Sequence, residues 1–373
     1  DMSQDQLTAF QAAIQNFLGP ILPLLNDETI TEVLINGPKE IFIERKGKLF
    51  RSDAAFKDED ALRAAVNNIA QSVGRRISEE EPRLDARLPD GSRIHAVLPP
   101  CARNGTTVAI RKFSKIKMTL PDYIRLGAIT AEAAQFMDVC MFLGKNMLVS
   151  GGTGSGKTTL LGILCNRIPP GYRVLVIEDA SELQINYEHV VRFETKMADA
   201  QGKGQVTIKD LVRSSLRLRP DRIIGGEVRG DEALELINAM NTGHDGSMGT
   251  VHANSPSDAL VRLEALASGG EAKISEKAIQ YQIGSALSLI IQIARFSDGS
   301  RRVSSIEEVL HFDGARKVYE VLPIYDLRNL TRQPDGTLKG HLEPTGNIPT
   351  FMEEIEANRI PFPRSRFQPR KAS

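Results

Sequence analysis

Residues 151–158 read GGTGSGKT and fit the spacing G-x-x-x-x-G-K-[ST], with Gly151, Gly156, Lys157 and Thr158 at its fixed places. Such a loop must turn backbone N–H groups inward on a polyphosphate. Glycine permits this because it reaches positive φ without strain and puts no side chain in the way. The spacing assigns Gly152, Thr153, Gly154, Ser155, Gly156, Lys157, Thr158 and Thr159 to an ATP cradle. Lys157 would reach the β- and γ-phosphates, Thr158 would offer its hydroxyl to Mg²⁺, and a helix starting there presents its positive dipole end to the anion.

Triphosphate hydrolysis also needs a group that orients water and positive charge on the transferred phosphoryl oxygens. RIIGGE ends in Glu227, the acidic residue of a Walker B strand, but Gly226 stands where an aspartate is common. Metal ligation then falls to Thr158, to Glu227, or to waters held by other carboxylates such as Glu178 in IEDASE. Asp179 alone is as readily a helix cap. His244 and His252 flank one strand in NTGHDGSMGTVHANSP. A lone histidine can be a hydrogen-bonded core residue, whereas a pair in a polar glycine-rich segment is better placed to sense phosphate. Arg93 and Arg111 belong to an earlier part of the chain, and if they reach the γ-phosphate, domain closure depends on nucleotide. A solvated helix face accounts for most of the cluster Arg213, Arg217, Arg219 and Arg222.

The elements that must hold these groups are legible as texture. MLVSG and the apolar run after Lys157 predict a buried strand and a helix around the loop. Beyond Pro121, strands at 173–179, 189–194, 221–228 and 247–253 alternate with helices at 208–218 and 231–240. Near-continuous apolar strands of this kind predict a parallel sheet covered on both faces, with ligands at the carboxyl ends. Helices are expected at 256–267 and 275–294, then short strands near 307–325. Before residue 114 the pattern is a helix over 7–25, a helix over 59–73, and alternating strands at 31–35, 40–45, 92–99 and 106–113. These expectations give an α/β chain with an N-terminal α+β domain at 1–113, a linker at 114–121, an ATPase domain at 122–326, and a C-terminal extension with a loose basic tail at 327–373.

At 373 residues the chain has room for about two cored domains. Forty-seven basic and 47 acidic residues cancel, so no overall field draws it to nucleic acid. Cys101, Cys140 and Cys165 form no C-x-x-C pair and suit reduced thiols in a cytosolic protein. The opening DMSQDQLTAF is no signal peptide and no eighteen-residue apolar run follows, so membrane association is expected to be peripheral. An opening on Asp1 is compatible with a longer natural chain.

Four motifs together, GGTGSGKTTL, VIEDASELQ, LRLRPDRIIGGEVRG and TGHDGSMGTVHANSP, resemble the secretion traffic ATPases of type II and type IV secretion, conjugation and pilus assembly. They cover residues 147–256, and RLDARLPDGSRIHAVLPP and TVAIRKF extend the likeness upstream. The wording looks most like the tight-adherence (Tad/Flp) pilus ATPases of the CpaF type, with conjugation ATPases next. The resemblance implies a cytoplasmic homohexamer at a bacterial inner membrane, each subunit a PAS-like domain joined to a RecA-like core. ATP and Mg²⁺ would be its cofactors, and inner-membrane pilus platform proteins its partners. It gives Lys157 to phosphate, makes Glu227 the essential Walker B glutamate, lets Glu178 act from the acidic box, and directs Arg93 and Arg111 at phosphates. His252 would act from the histidine box. Three scattered cysteines rule out the four-cysteine zinc subdomain of ordinary type II motors, and no AIRNLIRE-like retraction motif is present. A conjugation-channel ATPase, a nucleotide-switched binding module and a DNA-binding motor are the rival readings.

Overall fold

The computed structural model describes residues 17–88, 90–113, 118–198, 202–270 and 274–369. The chain divides into two compact units, residues 1–117 and 118–373. Residues 114–117 of the expected linker, and residues 7–16 of the expected first helix, lie outside the described part. Where that helix is described it breaks into a 3₁₀ turn, Gly19–Ile21, and α1, Leu22–Asn26, each with a proline in its first turn. Pro20 and Pro23 lack the N–H that a continuous helix would need.

The first unit is a six-stranded antiparallel sheet. Its strands are β1 Ile30–Asn36, β2 Ile41–Arg45, β3 Lys48–Ser52, β4 Arg83–Arg87, β5 Arg93–Val97 and β6 Thr107–Arg111, in the order β3-β2-β1-β6-β5-β4. Period-two alternation sends Val33, Ile35, Ile41, Ile43, Ile94, Ala96, Val108 and Ile110 into one core. Leu62, Ala65, Val66 and Ile69 of α2, Glu59–Ser72, join that core. Asp58 caps α2 by accepting from the Ala61 N–H at 2.9 Å. The short strands β3 and β4 carry too little apolar alternation to be read from sequence. Arg93 and Arg111 face each other across β5 and β6, beside Arg87 of β4 and Glu32 of β1. This arginine row lies on the sheet face away from the core.

The second unit opens with α3, Leu120–Arg125, held by a Thr119–Asp122 capping box, and α4, Ala131–Phe142. A nine-stranded sheet follows. It contains β7 Met147–Gly151, β8 Val174–Glu178, β9 Val190–Glu194, β10 Arg222–Val228, β11 Met248–His252, β12 Leu289–Arg295, β13 Arg301–Asp313, β14 Val318–Arg332 and β15 Leu338–Pro344, in the order β15-β14-β13-β12-β7-β11-β10-β8-β9. From β12 to β9 all neighbours are parallel, and β13 to β15 add an antiparallel meander. Helix α5, Lys157–Cys165, packs with α4 on one face. Residues of α6 Ile208–Ser215, α7 Glu232–Asn241, α8 Pro256–Ser268 and α9 Glu276–Ala286 pack on the other.

Three sequence expectations are corrected here. The helix expected over 275–294 stops at Ala286, and Leu289–Arg295 is strand β12 inserted beside β7. A run such as LIIQI, buried on both faces, carries no period to separate helix from strand. The strands expected near 307–325 are a long hairpin, and β14 runs straight through residue 326, where the ATPase domain was expected to end. The segment expected to be a loose tail is packed as far as it is described. After α10, Met352–Ala357, Phe367 is fully buried with its ring edge-on to Phe136 at 5.5 Å. In the arginine cluster read mostly as a solvated face, Arg222 is the exception: it is 1% exposed, stacked on Tyr172 and donating to the Met141 carbonyl at 2.8 Å.

Candidate active site

Parallel strands all end on one edge of the sheet, and that edge gathers the groups singled out by motif. The loop leaves β7 at Gly151, whose neighbours are His252 at the end of β11 and Ile293 on β12. No other residue fits at Gly151, since an added Cβ would lie 2.5 Å from both the Ile293 carbonyl oxygen and Ser155 Oγ. Gly154 and Gly156 have φ of 67° and 97°, the left-handed region that glycine enters freely. Gly156 is the N-cap of α5, so the helix begins with Lys157. The Gly152 carbonyl accepts from Lys157 Nζ at 3.0 Å and from Ser155 Oγ at 2.8 Å. Lys157 is 9% exposed. Thr158 is half-buried, and Thr153 and Thr159 are exposed. Asn254 Oδ1, not anticipated from sequence, would sit 3.8 Å from a Cβ on Gly152.

The carboxylates arrive from the neighbouring strands. Glu178 ends β8 and is 4% exposed. Its Oε1 accepts from the Glu182 and Leu183 N–H groups, both at 2.9 Å, while Oε2 is buried with no partner. Burial raises its pKa above the usual carboxylate range, against the lowering pull of the two amides and of Arg192. Glu178 also explains the missing aspartate. A Cβ on Gly226 of adjacent β10 would come 2.8 Å from Glu178 Cγ, so the strand can carry only glycine beside this side chain.

Glu227 is placed by a β-bulge. Ile224 and Gly225 pair with Met248 and Gly249, but Val228 pairs with Val251, so β10 holds one extra residue. The bulge reverses the strand's parity, and Val228 joins Ile223 and Ile177 in the core on the α7 and α8 face. Buried Thr250 ties β11 to the bulge by donating to the Gly226 carbonyl at 2.6 Å. Glu227 accepts a hydrogen bond from Arg229, whose other terminal nitrogen lies 3.8 Å from Asp179. One guanidinium thus draws the ends of β8 and β10 together, and Arg229 was not singled out from sequence. Its pKa is raised, first by the bond to Glu227.

The structure therefore brings together the loop, Glu178, Glu227 and His252 at one edge of one sheet. Strands are spaced about 4.8 Å apart, so β10, two strands from β7, stands roughly 10 Å to the side. His244 does not join them, contrary to the paired-histidine expectation. It precedes β11, at the opposite end of that strand, and its Nδ1 lies 3.1 Å from the Ala239 carbonyl at the end of α7. Arg93 and Arg111 belong to the first unit. The loop's glycines, Lys157 and the Thr158 hydroxyl are a donor set that suits a magnesium-bound polyphosphate, and Glu178 stands at the same sheet edge three strands from β7. Among the described residues no group of three His, Cys, Asp or Glu forms a ready metal site, so the cation would have to keep waters and phosphate oxygens as ligands.

Residues 15–337 match the type II/IV secretion system protein family. The chain is 37% identical over 302 residues to a putative conjugal transfer protein of Mycobacterium tuberculosis, covering 79% of this chain and 85% of that protein. It is 36% identical over 277 residues to the type IV secretion system protein VirB11 of Brucella suis, covering 67% and 77% of the two chains. The solved structure of the Legionella pneumophila ATPase DotB superposes with a TM-score of 0.54 at 20% identity, over 81% of this chain and 82% of that one, a likeness of fold. With its RecA-like sheet and phosphate loop, the chain belongs to the type II/IV secretion system ATPase family.

Proposed function

We propose that the chain hydrolyses ATP as a mechanochemical motor of a Tad/Flp-type pilus, working as a homohexamer against inner-membrane platform proteins from the cytoplasmic side. The observation that carries the catalytic part is the common edge shared by the phosphate loop, Glu227 and Glu178. In this reading the loop amides and Lys157 hold the β- and γ-phosphates, and Thr158 with Glu178 and Glu227 holds Mg²⁺ and its waters. Mg²⁺ would neutralise charge on the β- and γ-oxygens. Glu227 orients the attacking water, the bond from the γ-phosphorus to the β-bridging oxygen breaks, and ADP and phosphate leave. Arg93 and Arg111 stabilise charge on the transferred group, and His252, beside Gly151, reports its loss to β11.

Glu227→Gln should keep ATP binding and lose most turnover in a phosphate-release assay; parental turnover would remove Glu227 from the mechanism. Arg111→Ala should fold normally and hydrolyse more slowly by the equivalent of about 2.7–4 kcal/mol, the usual worth of a transition-state donor. Pilus assignment rests on the motif wording and on the missing zinc and retraction signatures. The names of the matched relatives favour a second reading, an ATPase of a conjugation or type IV secretion channel. Deleting the gene in its host separates them, because loss of surface pili with transfer intact supports the first and the converse supports the second.

A further inference from the structure

Strand β12, hidden in the sequence, brings two cations to the loop. Arg295 ends β12, Arg301 begins β13, and the register pairs them directly across the hairpin. Arg301 donates from Nε to the Gly154 carbonyl at 2.7 Å. A Cβ on Gly154 would lie 3.4 Å from Arg295 Nη1, and one on Gly156 would lie 3.4 Å from Arg301 Cδ. Both side chains therefore run along the loop on the β12 side of β7. Glu178, Asp179 and Glu227 lie on the other side, beyond β11. Arg295 and Arg301 thus stand on the β12 side of the loop, and the carboxylates, with Arg229 bonded to Glu227, stand beyond β11.

We propose that Arg295 binds the α- and β-phosphates of the nucleotide and that Arg301 is a positioning residue for the loop. This placement orients the nucleotide. Its magnesium-bearing γ-end faces the carboxylates, and its diphosphate stem faces Arg295. Arg301 holds the Gly154 carbonyl outward, so the N–H of the same peptide, on Ser155, turns into the loop, where it now lies 3.3 Å from the Gly152 oxygen. A bound phosphate oxygen would take over that donor. The inference rests on the reading of the loop as a nucleotide site.

The test is equilibrium titration of the full chain with ADP and with a non-hydrolysable ATP analogue. Arg295 is exposed, so Arg295→Ala and the longer Arg295→Gln leave the core untouched. Each should raise Kd for ADP and for the ATP analogue by the same factor, about 10–100-fold, as expected for hydrogen bonds between charged groups. Arg301→Ala should raise both constants too, and Arg301→Lys should recover much of the loss because an ammonium can still donate to the Gly154 carbonyl. Unchanged ADP affinity in both Arg295 variants overturns the proposal. So does a loss confined to the ATP analogue, which would move Arg295 to the γ-phosphate. Lys157→Ala serves as the separate control. If it binds ADP like the parent, the loop reading itself fails; if it loses ADP while the arginine variants keep it, only the arginine assignment fails.

Discussion

Replacing Gly226 with aspartate would restore the residue that commonly precedes a strand-end glutamate in this class of site, and we expect it to damage the protein. Any Cβ at position 226 falls 2.8 Å from Glu178 Cγ, 3.4 Å from its Cβ and 3.5 Å from the Ile177 oxygen. Glu178 cannot swing away cheaply. It is 4% exposed and anchored by two backbone amides at 2.9 Å. Overpacking of this kind costs about 1–3 kcal/mol, so Gly226→Ala should lose that much. Aspartate adds a second carboxylate beside a buried one. At about 5 Å and an effective dielectric near 20 their repulsion is of order 3 kcal/mol more. In thermal unfolding this corresponds to roughly 2–4 °C per kcal/mol for a unit of this size. Glu178→Ala removes the obstructing Cγ, so the Gly226→Ala/Glu178→Ala double variant should be more stable than the sum of the singles by about 1–2 kcal/mol. If Gly226→Ala unfolds with the parent and the two changes simply add, steric exclusion by Glu178 is not why glycine stands there.

Glu178→Gln should stabilise the chain at neutral pH, because burial raises the carboxyl's pKa in the folded state. The sign follows from linkage. At a pH below the unfolded value both states are protonated and the variant gains nothing; as pH rises through the raised folded value the parent alone meets the cost of a buried charge, so a gap opens. Melting curves from acid to neutral pH check it, and a gap that closes toward neutrality would contradict the assignment. Phe367→Ala should cost about 3–5 kcal/mol, as for a fully buried aromatic, and chemical denaturation of the 118–373 unit would read it. A cost near zero would return the final segment to a loose tail.

What the sequence carried by itself was chemistry of short range. Glycine at fixed spacing, a lysine and threonine at a helix start, and apolar strands ending in acids are local demands of phosphate binding. They marked the loop, Glu178 and Glu227 at the ends of buried strands without coordinates, and the 3.6 and 2 residue periods located α2 and β1. Tertiary structure decided what depends on neighbours. Strand β12 could be told from a helix only by its pairing with β7, because an element buried on both faces has no amphipathic period. Arg295 and Arg301 were illegible for the same reason: their place beside Gly154 comes from that pairing. The absence of an aspartate at 226 was visible as a letter, but its cause is a cross-strand contact with Glu178. His244 and His252 look alike in the chain, and only the direction of β11 puts one at the loop and the other at the far end. Residue type and spacing fix which reactions a segment can support; which segments meet is set by strand order and burial, and no single segment encodes those.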